Sequence, residues 1–383
     1  MAKREIRFGV IGCGLMGREF ASAAARWLHL LDLDYAPRIE AVCDVNLQAT
    51  EWFKDNVPSV RLATDNYEEL LNDAAIEVIY CAVPHNLHEK IYSDIIRSGK
   101  HLLGEKPFGI DQAANTAILE AARENPDVLV RCTSQLPFFP GAYQIIQWLR
   151  DGRFGRIIEY EAGFWHSSDL NPLKPINWKR MIEMNGEYGC MGDLGMHVYH
   201  IPSRFGFKPR TVRAMLSKIV TERPDRDGNM VPCLTWDNAI LACDVDTGDQ
   251  KFPMTLSTKR IAPGHNNTWF VKVQGTDLSA EFSTQFPKQL RYMPYTAGGK
   301  QEWRVIDMLY ASAYKTITGS IFEFGFSDAI LQMWAAYCDE FVNGMEGMQQ
   351  PFGCVRPDEV ADSHKLFTAA LESNRESSAV AVD

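Results

Sequence analysis

An aspartate and a histidine stand four residues apart in a segment whose apolar pattern predicts a helix over residues 191–205. Asp193 and His197 therefore share one helical face. Removing hydride from a carbinol requires loss of the hydroxyl proton, and a histidine that titrates near neutrality suits the role of acceptor. A neighbouring carboxylate would orient the imidazole and stabilise its protonated form. The same spacing also fits an ordinary pair on a helix surface, so it does not decide the chemistry alone.

A third polar residue on this helix allows a second interpretation. Asp193, His197 and His200 fall at i, i+4 and i+7, a spacing that could hold a metal ion at three points. A metal-dependent hydrolase or lyase is therefore a rival of a redox enzyme. The metal alternative leaves the glycine-rich N-terminal segment unexplained, so we expect no metal.

A lysine follows a short apolar run at residues 101–103 that predicts a strand. The segment reads Glu105-Lys106-Pro107. Ligands collect at the carboxyl ends of strands in open α/β sheets. Lys106 beside a nicotinamide ring could hydrogen bond the reacting hydroxyl and make it more acidic. A surface lysine paired with Glu105 accounts for these residues equally well.

A glycine-rich turn follows the buried-strand pattern of residues 6–11 and opens a helical pattern. It reads Gly12-Cys13-Gly14-Leu15-Met16-Gly17. In such a turn the first glycine permits a tight bend, the second lets a pyrophosphate approach the backbone, and the third lets helix and strand pack closely. Unpaired N–H groups at the helix start then bind phosphate. The turn therefore predicts a dinucleotide site.

An acidic residue, Asp44, ends the second predicted strand at residues 39–43. A carboxylate there accepts hydrogen bonds from the adenosine ribose and repels a 2′-phosphate. Val45 and Asn46 supply no arginine to neutralise such a phosphate, which favours NAD over NADP. Asp44 comes later than the usual spacing of about 20 residues, as though the first helix or the loop near residues 31–37 were extended.

Two further residues are candidates for a sugar pocket. His166 follows the predicted strand 157–165, and Trp178 lies in the irregular segment after it. Aromatic faces pack well on the apolar faces of sugar rings, although core packing is an equally good explanation. The polar loop at residues 221–236 is long for a hairpin connection, which fits a lid, an assembly contact or a tolerated insertion.

The chain changes its pattern near residue 138. Before that point, short continuous apolar runs alternate with helical patterns. Such strands require a parallel sheet covered on both faces, which predicts a doubly wound α/β domain over residues 1–138. Residues 139–383 carry adjacent strand-like runs without crossover helices, which predicts an antiparallel sheet. We expect the closing helix at 357–374 near the domain junction and residues 377–383 to be frayed.

Composition limits the partners. The formal net charge of −10 argues against a polyanion binder such as a nucleic-acid protein. No stretch reaches the roughly 20 apolar residues of a membrane helix. Nine scattered cysteines without a secretory signal indicate buried thiols in a reducing compartment. We expect a cytoplasmic protein that acts on a small molecule, with no membrane or nucleic-acid partner.

Together these motifs resemble the glucose–fructose oxidoreductase/inositol dehydrogenase/MocA (Gfo/Idh/MocA) family of nicotinamide-dependent oxidoreductases over nearly the whole chain. The resemblance depends on the glycine turn, on Asp44, and on three short segments. These are Pro84-His85-Asn86-Leu87-His88, Glu105-Lys106-Pro107 and Asp193-Leu194-Gly195-Met196-His197. The last two segments, in that order and roughly 90 residues apart, form a specific combination.

The resemblance implies a Rossmann domain followed by an α+β domain with an open, mostly antiparallel sheet. It implies that Lys106 lies near the nicotinamide and that Asp193 and His197 complete the acid–base set, with His197 as the base. It also implies a set of cofactor-binding residues, namely Gly12, Gly14, Leu15, Met16, Gly17, Asp44, Pro84, His85, His88, Glu105 and Lys106. A homodimer or homotetramer formed through the second-domain sheet is implied as well.

Two departures from the family concern the substrate. Many members carry an arginine in the stretch that here reads Gln135-Leu136-Pro137-Phe138, and many have aspartate where His200 stands. The missing arginine favours a neutral substrate. We expect a dehydrogenase that acts on a hydroxyl carbon of a sugar, glycoside or cyclitol, with NAD as cofactor. The substrate would meet a small set of residues, namely Lys106, His166, Trp178, Asp193, His197 and His200. Redox-neutral, NAD-dependent cleavage of a glycoside and a non-enzymatic nucleotide sensor are the alternatives.

Overall fold

The structure is a computed structural model that describes residues 3–309 and 311–383. Up to residue 138 it contains six strands and five helices. The strands are β1 (Arg4–Ile11), β2 (Tyr35–Cys43), β3 (Leu62–Thr64), β4 (Val78–Cys81), β5 (His101–Gly104) and β6 (Val130–Cys132). The helices are α1 (Leu15–Ala25), α2 (Leu47–Asn56), α3 (Tyr67–Asn72), α4 (His88–Arg97) and α5 (Gln112–Glu124).

The remainder of the chain is richer in strands. Its helices are α6 (Pro140–Arg150), α7 (Ile182–Asn185), α8 (Cys190–Arg204), α9 (Phe326–Gly347) and α10 (Pro357–Glu376). Its strands are β7 (Ile157–Trp165), β8 (Pro209–Ser217), β9 (Glu222–Pro224), β10 (Met230–Pro232), β11 (Asn238–Asp246), β12 (Lys251–Lys259), β13 (Thr268–Gly275), β14 (Leu278–Ser283), β15 (Gln289–Pro294), β16 (Arg304–Asp307) and β17 (Val380–Ala381).

The first sheet is parallel, with the strand order β3-β2-β1-β4-β5-β6. This order is typical of doubly wound dinucleotide-binding domains, and it confirms the predicted Rossmann fold. All four residues of β4 are buried, because helices cover both faces of a parallel sheet. That is why this strand reads as a continuous apolar run.

The segment between the glycine turn and Asp44 is extended in two places. Helix α1 ends at Ala25, and a 3₁₀ turn continues it over Arg26–His29. Strand β2 then begins at Tyr35, earlier than its apolar run suggests, and is nine residues long. The late position of Asp44 is explained by this turn and this strand.

One expectation about domain organisation was wrong. The chain divides into two compact units, and Ser312–Pro357 belongs to the first unit rather than to the second. Trp334 of α9 explains this, because its ring stacks on Phe8 of β1 with centroids 5.1 Å apart. Tyr314, just before α9, donates a hydrogen bond to Asp339 in it at 2.8 Å. Phe138 belongs to the first unit and Phe139 to the second, and the short segment Ile110–Gln112 also belongs to the second.

The second sheet has nine strands in the order β16-β15-β14-β13-β7-β12-β11-β8-β17. Strands β7 and β12 are parallel, and the other neighbouring pairs are antiparallel. This confirms a mostly antiparallel sheet. Helix α8 packs against β7, β11, β12 and β13 and thereby places its polar residues on this sheet.

Two segments predicted as irregular are ordered by backbone pairing. The expectation that residues 377–383 are frayed was wrong, because Val380 pairs with Val212 and β17 extends the edge of the sheet beside β8. The polar loop at 221–236 contains the short antiparallel pair β9 and β10. The partner of β17 is distant in the chain, whereas β9 and β10 form a local hairpin.

Candidate active site

The glycine turn is packed so closely that two of its positions exclude any side chain. Gly12 has φ of +98°, and an added Cβ would lie 2.3 Å from the carbonyl oxygen of Ala82, just after β4. An added Cβ at Gly17 would lie 2.2 Å from the carbonyl oxygen of Gly12. At Gly14 an added Cβ would meet no described atom within 4 Å. The turn is therefore tight on the protein side and open where a pyrophosphate would approach.

Asp44 is hydrogen bonded to the glycine turn itself. Its Oδ2 accepts from the backbone N–H of Cys13 at 2.8 Å, and its Oδ1 accepts from Asn46 at 2.9 Å. The carboxylate therefore sits at the end of β2, directly beside the turn. A carboxylate carries about four acceptor positions, so these two bonds leave capacity for ribose hydroxyls. The chain's own residues here fit a dinucleotide without a 2′-phosphate.

The segment after β4 approaches the same end of the parallel sheet. Pro84 precedes a 3₁₀ turn over His85–Leu87, and the His85 side chain is buried. His88 is fully buried, with Nε2 3.1 Å from the Val83 carbonyl oxygen and Nδ1 accepting from Gly109 at 3.3 Å. His88 therefore links the end of β4 to the turn that follows β5.

The turn after β5 holds Lys106 in a defined place. Glu105 is buried, and its Oε1 accepts a hydrogen bond from the Tyr80 hydroxyl at 2.8 Å. Burial, reinforced by the Glu105 carboxylate, raises the pKa of Tyr80, so this hydroxyl stays a donor. The Lys106–Pro107 peptide is cis. Asn115 then fixes the turn by donating to the Phe108 carbonyl at 2.9 Å.

Helix α8 carries the Asp193 and His197 pair on the second unit. Both side chains are buried, and the backbone carbonyl of His197 accepts from the Trp269 indole at 2.9 Å. The glycine between them, Gly195, is required by packing, because an added Cβ would lie 2.3 Å from the Phe367 ring of α10. The helix is therefore held against β13 on one side and α10 on the other.

Asp193 is bound by two cations. Its Oδ1 lies 2.7 Å from Lys179 Nζ, and its Oδ2 lies 2.5 Å from Arg260 Nη1. Arg260 also pairs with Asp169 at 3.1 Å. Burial raises the cost of an isolated charge, yet opposing partners surround each of these groups. The neighbouring arginines hold the pKa of Asp169 below its usual range, although burial opposes them.

The segment between β7 and α8 contains both predicted sugar-contact residues. The backbone N–H of His166 donates to Lys259 at 2.7 Å, and its ring lies against Phe164 with centroids 4.6 Å apart. The Phe164 ring in turn meets the His197 ring edge-on at 5.4 Å. Trp178 begins the 3₁₀ turn that carries Lys179. Both predicted residues therefore lie on the chain segment that contacts the Asp193 site.

The hairpin of β9 and β10 is attached to this segment. Arg223 is buried and donates to the backbone carbonyls of Asn171, at 2.6 Å, and Asp169. The backbone N–H of Ile176 donates to Pro224 at 2.8 Å. The loop at residues 221–236 thus supports the segment that bears His166 and Trp178.

His200 faces a different environment from Asp193. It is fully buried, and its Nε2 lies 3.2 Å from Arg204 Nη2, while Arg204 is paired with Glu359 of α10. Within residues 3–309 and 311–383, no group of three His, Cys, Asp or Glu side chains is arranged to hold a metal ion. The structure therefore gives no support to the metal site suggested by the i, i+4, i+7 spacing.

Sequence reasoning missed the cations around Asp193. Lys179 follows Trp178 directly, and Arg260 comes directly after β12, but nothing in the local pattern indicates that either approaches α8. Because the two positions are far apart in the chain, tertiary packing rather than local spacing brings both cations to Asp193.

The parallel sheet, the close-packed glycine turn and the acidic end of β2 define a dinucleotide-binding domain. Residues 6–132 match the GFO/IDH/MocA family model, described as an oxidoreductase family with an NAD-binding Rossmann fold. The chain is therefore an NAD-binding oxidoreductase whose residues 6–132 match this family model. This match confirms the resemblance and the cofactor that the motifs predict.

Similar proteins include several named dehydrogenases. The chain is 22% identical over 303 residues to levoglucosan dehydrogenase from Pseudarthrobacter phenanthrenivorans. This alignment covers 75% of this chain and 76% of that protein. It is 28% identical to mouse (Mus musculus) trans-1,2-dihydrobenzene-1,2-diol dehydrogenase over 55% of this chain and 60% of the relative. It is 28% identical to inositol 2-dehydrogenase 2 from Saccharopolyspora erythraea over 40% of this chain and 43% of that protein. The last two alignments span less than two thirds of those relatives.

Solved structures agree with the fold. Levoglucosan dehydrogenase in complex with NADH superposes with a TM-score of 0.86 at 20% identity, covering 99% of this chain and 100% of that chain. An NAD-binding oxidoreductase from Klebsiella pneumoniae superposes with a TM-score of 0.85 at 20% identity, and the superposition covers 99% of each chain. Among the described residues, no helix is long and apolar enough to cross a membrane.

Proposed function

We propose that this protein is a dehydrogenase that transfers hydride between a hydroxyl-bearing carbon of a sugar, glycoside or cyclitol and the nicotinamide of NAD. The observation that carries the proposal is the buried Asp193 and His197 pair, with Asp193 fixed by Lys179 and Arg260. A family of NAD-binding oxidoreductases and relatives named for levoglucosan and inositol support the substrate class.

In the proposed reaction the chain's own residues handle the substrate hydroxyl. Lys106 donates a hydrogen bond to the hydroxyl oxygen, which makes that hydroxyl more acidic. His197 accepts the hydroxyl proton, and Asp193 orients the imidazole and stabilises its charged form. Bound NAD supplies the acceptor for the hydride that leaves the same carbon. The C–H and O–H bonds break, and a carbonyl forms.

The dinucleotide would be held mainly by the glycine turn. The N–H groups at Gly14, Leu15, Met16 and Gly17 begin α1 and would bind the pyrophosphate, which needs the bend at Gly12. Asp44 would accept the ribose hydroxyls. The remaining contacts would come from the ends of β4 and β5, namely from Pro84, His85, Glu105 and Lys106. Fully buried His88 would support these loops from beneath.

The substrate would be neutral. His166 and Trp178 lie on the segment beside Asp193 and offer ring faces to a sugar, whereas the stretch at Gln135–Phe138 contains no arginine to bind an acidic group. The buried His200 ring faces Arg204. His200 would therefore influence substrate binding by supporting helix α8 rather than by touching the substrate.

Assembly and location complete the proposal. The nine-stranded sheet bears the exposed apolar side chains of Met215 and Val305, and exposed Trp303 directly precedes β16, which supports a homodimer or homotetramer formed through this sheet. Light scattering of the purified protein would test the assembly. All nine cysteines are buried thiols, which supports a reducing compartment such as the cytoplasm.

The direct test is reduction of NAD with a panel of inositols, free sugars, 1,6-anhydrosugars, glycosides and sugar acids, followed by near-ultraviolet absorbance. A stoichiometric rise with a neutral polyol or sugar supports the proposal and identifies the substrate. Bond cleavage with NAD needed only in catalytic amount would establish the redox-neutral alternative instead. Tight NAD binding without turnover of any compound would contradict both.

Replacing the proposed base provides a second test. His197→Ala should lower kcat by about 10²–10⁴-fold, because a positioned general base contributes that much, while the Kd for NADH stays unchanged. His265→Ala is the matched control, since His265 is a half-buried histidine on the same unit, 3.2 Å from Thr268. Equal activity of the two variants would remove His197 from the mechanism.

A further inference from the structure

Lys179 has a position that the family motifs do not explain. It lies in the single 3₁₀ turn Trp178–Arg180, and its Nζ is 2.7 Å from Asp193 Oδ1. The Asp193 side chain is 1% exposed, whereas the Lys179 side chain is 30% exposed. A half-buried ammonium therefore contacts a fully buried carboxylate on the helix that bears His197.

The opposite side of Asp193 is held by a buried cation. Arg260 places Nη1 2.5 Å from Asp193 Oδ2 and Nε 3.1 Å from Asp169 Oδ2. Burial lowers the pKa of Arg260, but the two carboxylates outweigh it and raise that pKa. Arg260 is thus a fixed charge, and its field is shared between two aspartates. Lys179 supplies the second positive charge at Asp193.

This charge arrangement affects a base on the same helix. In the proposed oxidation His197 must be neutral before it can accept the hydroxyl proton. A carboxylate one turn away stabilises the imidazolium and would keep the base protonated. A cation in direct contact with that carboxylate reduces its field at the ring. Lys179 is placed to do this, and its contact also limits the orientations that Asp193 can adopt.

We propose that Lys179 is a positioning residue that orients Asp193 and favours the neutral form of His197. The inference deepens the proposed function and depends on it for its catalytic meaning. The charged groups that face Asp193 from other elements include Lys179 and Arg260, and Arg260 also pairs with Asp169. The Phe164 ring is one neighbour of the His197 ring, and the titratable His166 ring lies against Phe164 in turn.

The chain offers a matched control in the same network. Lys174 Nζ lies 3.2 Å from Asp169 Oδ1 and 2.8 Å from the carbonyl oxygen of Ser168, and its side chain is 40% exposed. Lys174 resembles Lys179 in chemistry, exposure and chain segment, but it forms its ion pair with Asp169 rather than with Asp193. A general effect of losing one lysine from this network would appear in both variants.

The kinetic experiment compares Lys179→Met, Lys179→Arg and Lys174→Met with the wild-type enzyme in the direction of alcohol oxidation. Lys179→Met should lower kcat by about tenfold or more, with an unchanged Kd for NADH. The acid limb of its kcat/KM profile should move to higher pH by roughly 0.5 to 1 pH unit, since an opposite charge nearby shifts titration on this scale. Lys179→Arg should restore the wild-type limb, and Lys174→Met should leave it in place.

A spectroscopic measurement decides the inference independently of turnover. In protein with ¹³C-labelled histidine, the His197 ring signal, assigned by its loss in His197→Ala, should titrate at higher pH in Lys179→Met than in wild type. An unchanged midpoint, or the same displacement in Lys174→Met, would overturn the inference. If no sugar or cyclitol were oxidised, the proposed function would fail while this titration still gave its own answer.

Discussion

At Gly12 and Gly17 the backbone of the dinucleotide turn approaches itself so closely that each position excludes even a methyl group. Gly14, between them, has a φ of −73° and open space beside it. The three glycines therefore serve different physical purposes. Two of them permit the fold, and the third keeps clear a space that only the cofactor would use.

This difference leads to a paired prediction. Gly17→Ala places a methyl group 2.2 Å from the Gly12 carbonyl oxygen, so it should lower the free energy of unfolding by about 1–3 kcal/mol, as overpacking does. Gly14→Ala should leave that free energy within about 0.5 kcal/mol of wild type but weaken NADH binding at least tenfold. Thermal unfolding and NADH fluorescence titration measure the two effects. Equal loss of stability in both variants would contradict the assigned roles.

Single residues also show what the sequence can and cannot reveal about the site. The glycines and Asp44 are recognisable because their spacing follows from one local strand–turn–helix unit. Asp193 and His197 are recognisable because a helix turn places them together. Lys179 and Arg260 are not recognisable, since their contact with Asp193 depends on strand register and on an irregular segment rather than on any repeating pattern.

Among the elements, the buried strands were predicted most closely. Strand β5 extends only one residue beyond its predicted range, 101–103, because a continuous apolar run marks a strand buried on both faces. Strands β15 and β16 were missed. Only Leu290 is buried among their residues, so the edge strand β16 and its neighbour β15 lack the apolar signal by which buried strands are recognised.

Strand β5 begins with a histidine whose titration should affect stability. His101 Nδ1 accepts from the backbone N–H of Leu129 at 2.8 Å, and its ring meets Phe341 edge-on at 4.9 Å. Burial lowers the pKa of His101 from its usual value of 6.5, although Glu77 opposes the shift. The unfolded chain therefore takes up this proton first as the pH falls, and the stabilisation present above about pH 6.5 is lost below it.

A His101→Asn variant separates this contribution from that of other groups. Asparagine can still accept the Leu129 hydrogen bond but does not titrate. The difference in unfolding free energy between wild type and variant should therefore be larger at about pH 8 than at about pH 5. Urea unfolding at the two pH values measures it. A difference that stays constant with pH would show that His101 titrates equally in both states.

At the scale of the whole molecule, the sequence indicates two domains but not their complete membership. Ser312–Pro357 lies after the second sheet in the chain, and yet α9 covers β1 with Trp334. The Arg131 guanidinium at β6 is ion-paired with Glu340 of α9, with Nε 2.9 Å from Oε2. A division of the chain at a single point could not place Ser312–Pro357 in the first unit. Helical periodicity reveals that α9 has an apolar face, but it does not reveal which surface that face covers.

The return of α9 predicts the behaviour of fragments. Residues 1–138 alone should unfold without a cooperative transition, because Phe8 and Phe20 lose the ring of Trp334. Joining residues 312–357 to this fragment through a flexible linker should restore a cooperative transition and NADH binding. Trp334→Ala in the joined protein should remove about 3–5 kcal/mol of the recovered stability. Cooperative unfolding of residues 1–138 by themselves would contradict the assigned role of α9.

The same return has a consequence for protein synthesis. The parallel sheet leaves the ribosome early, but the helix that covers β1 follows roughly 200 residues later, which takes about 10–40 s at usual rates of translation. During that interval Phe8 and its neighbours are exposed on the nascent chain. The first unit to be translated is therefore completed late, and slow translation of the second sheet should lengthen its exposure to chaperones and proteases.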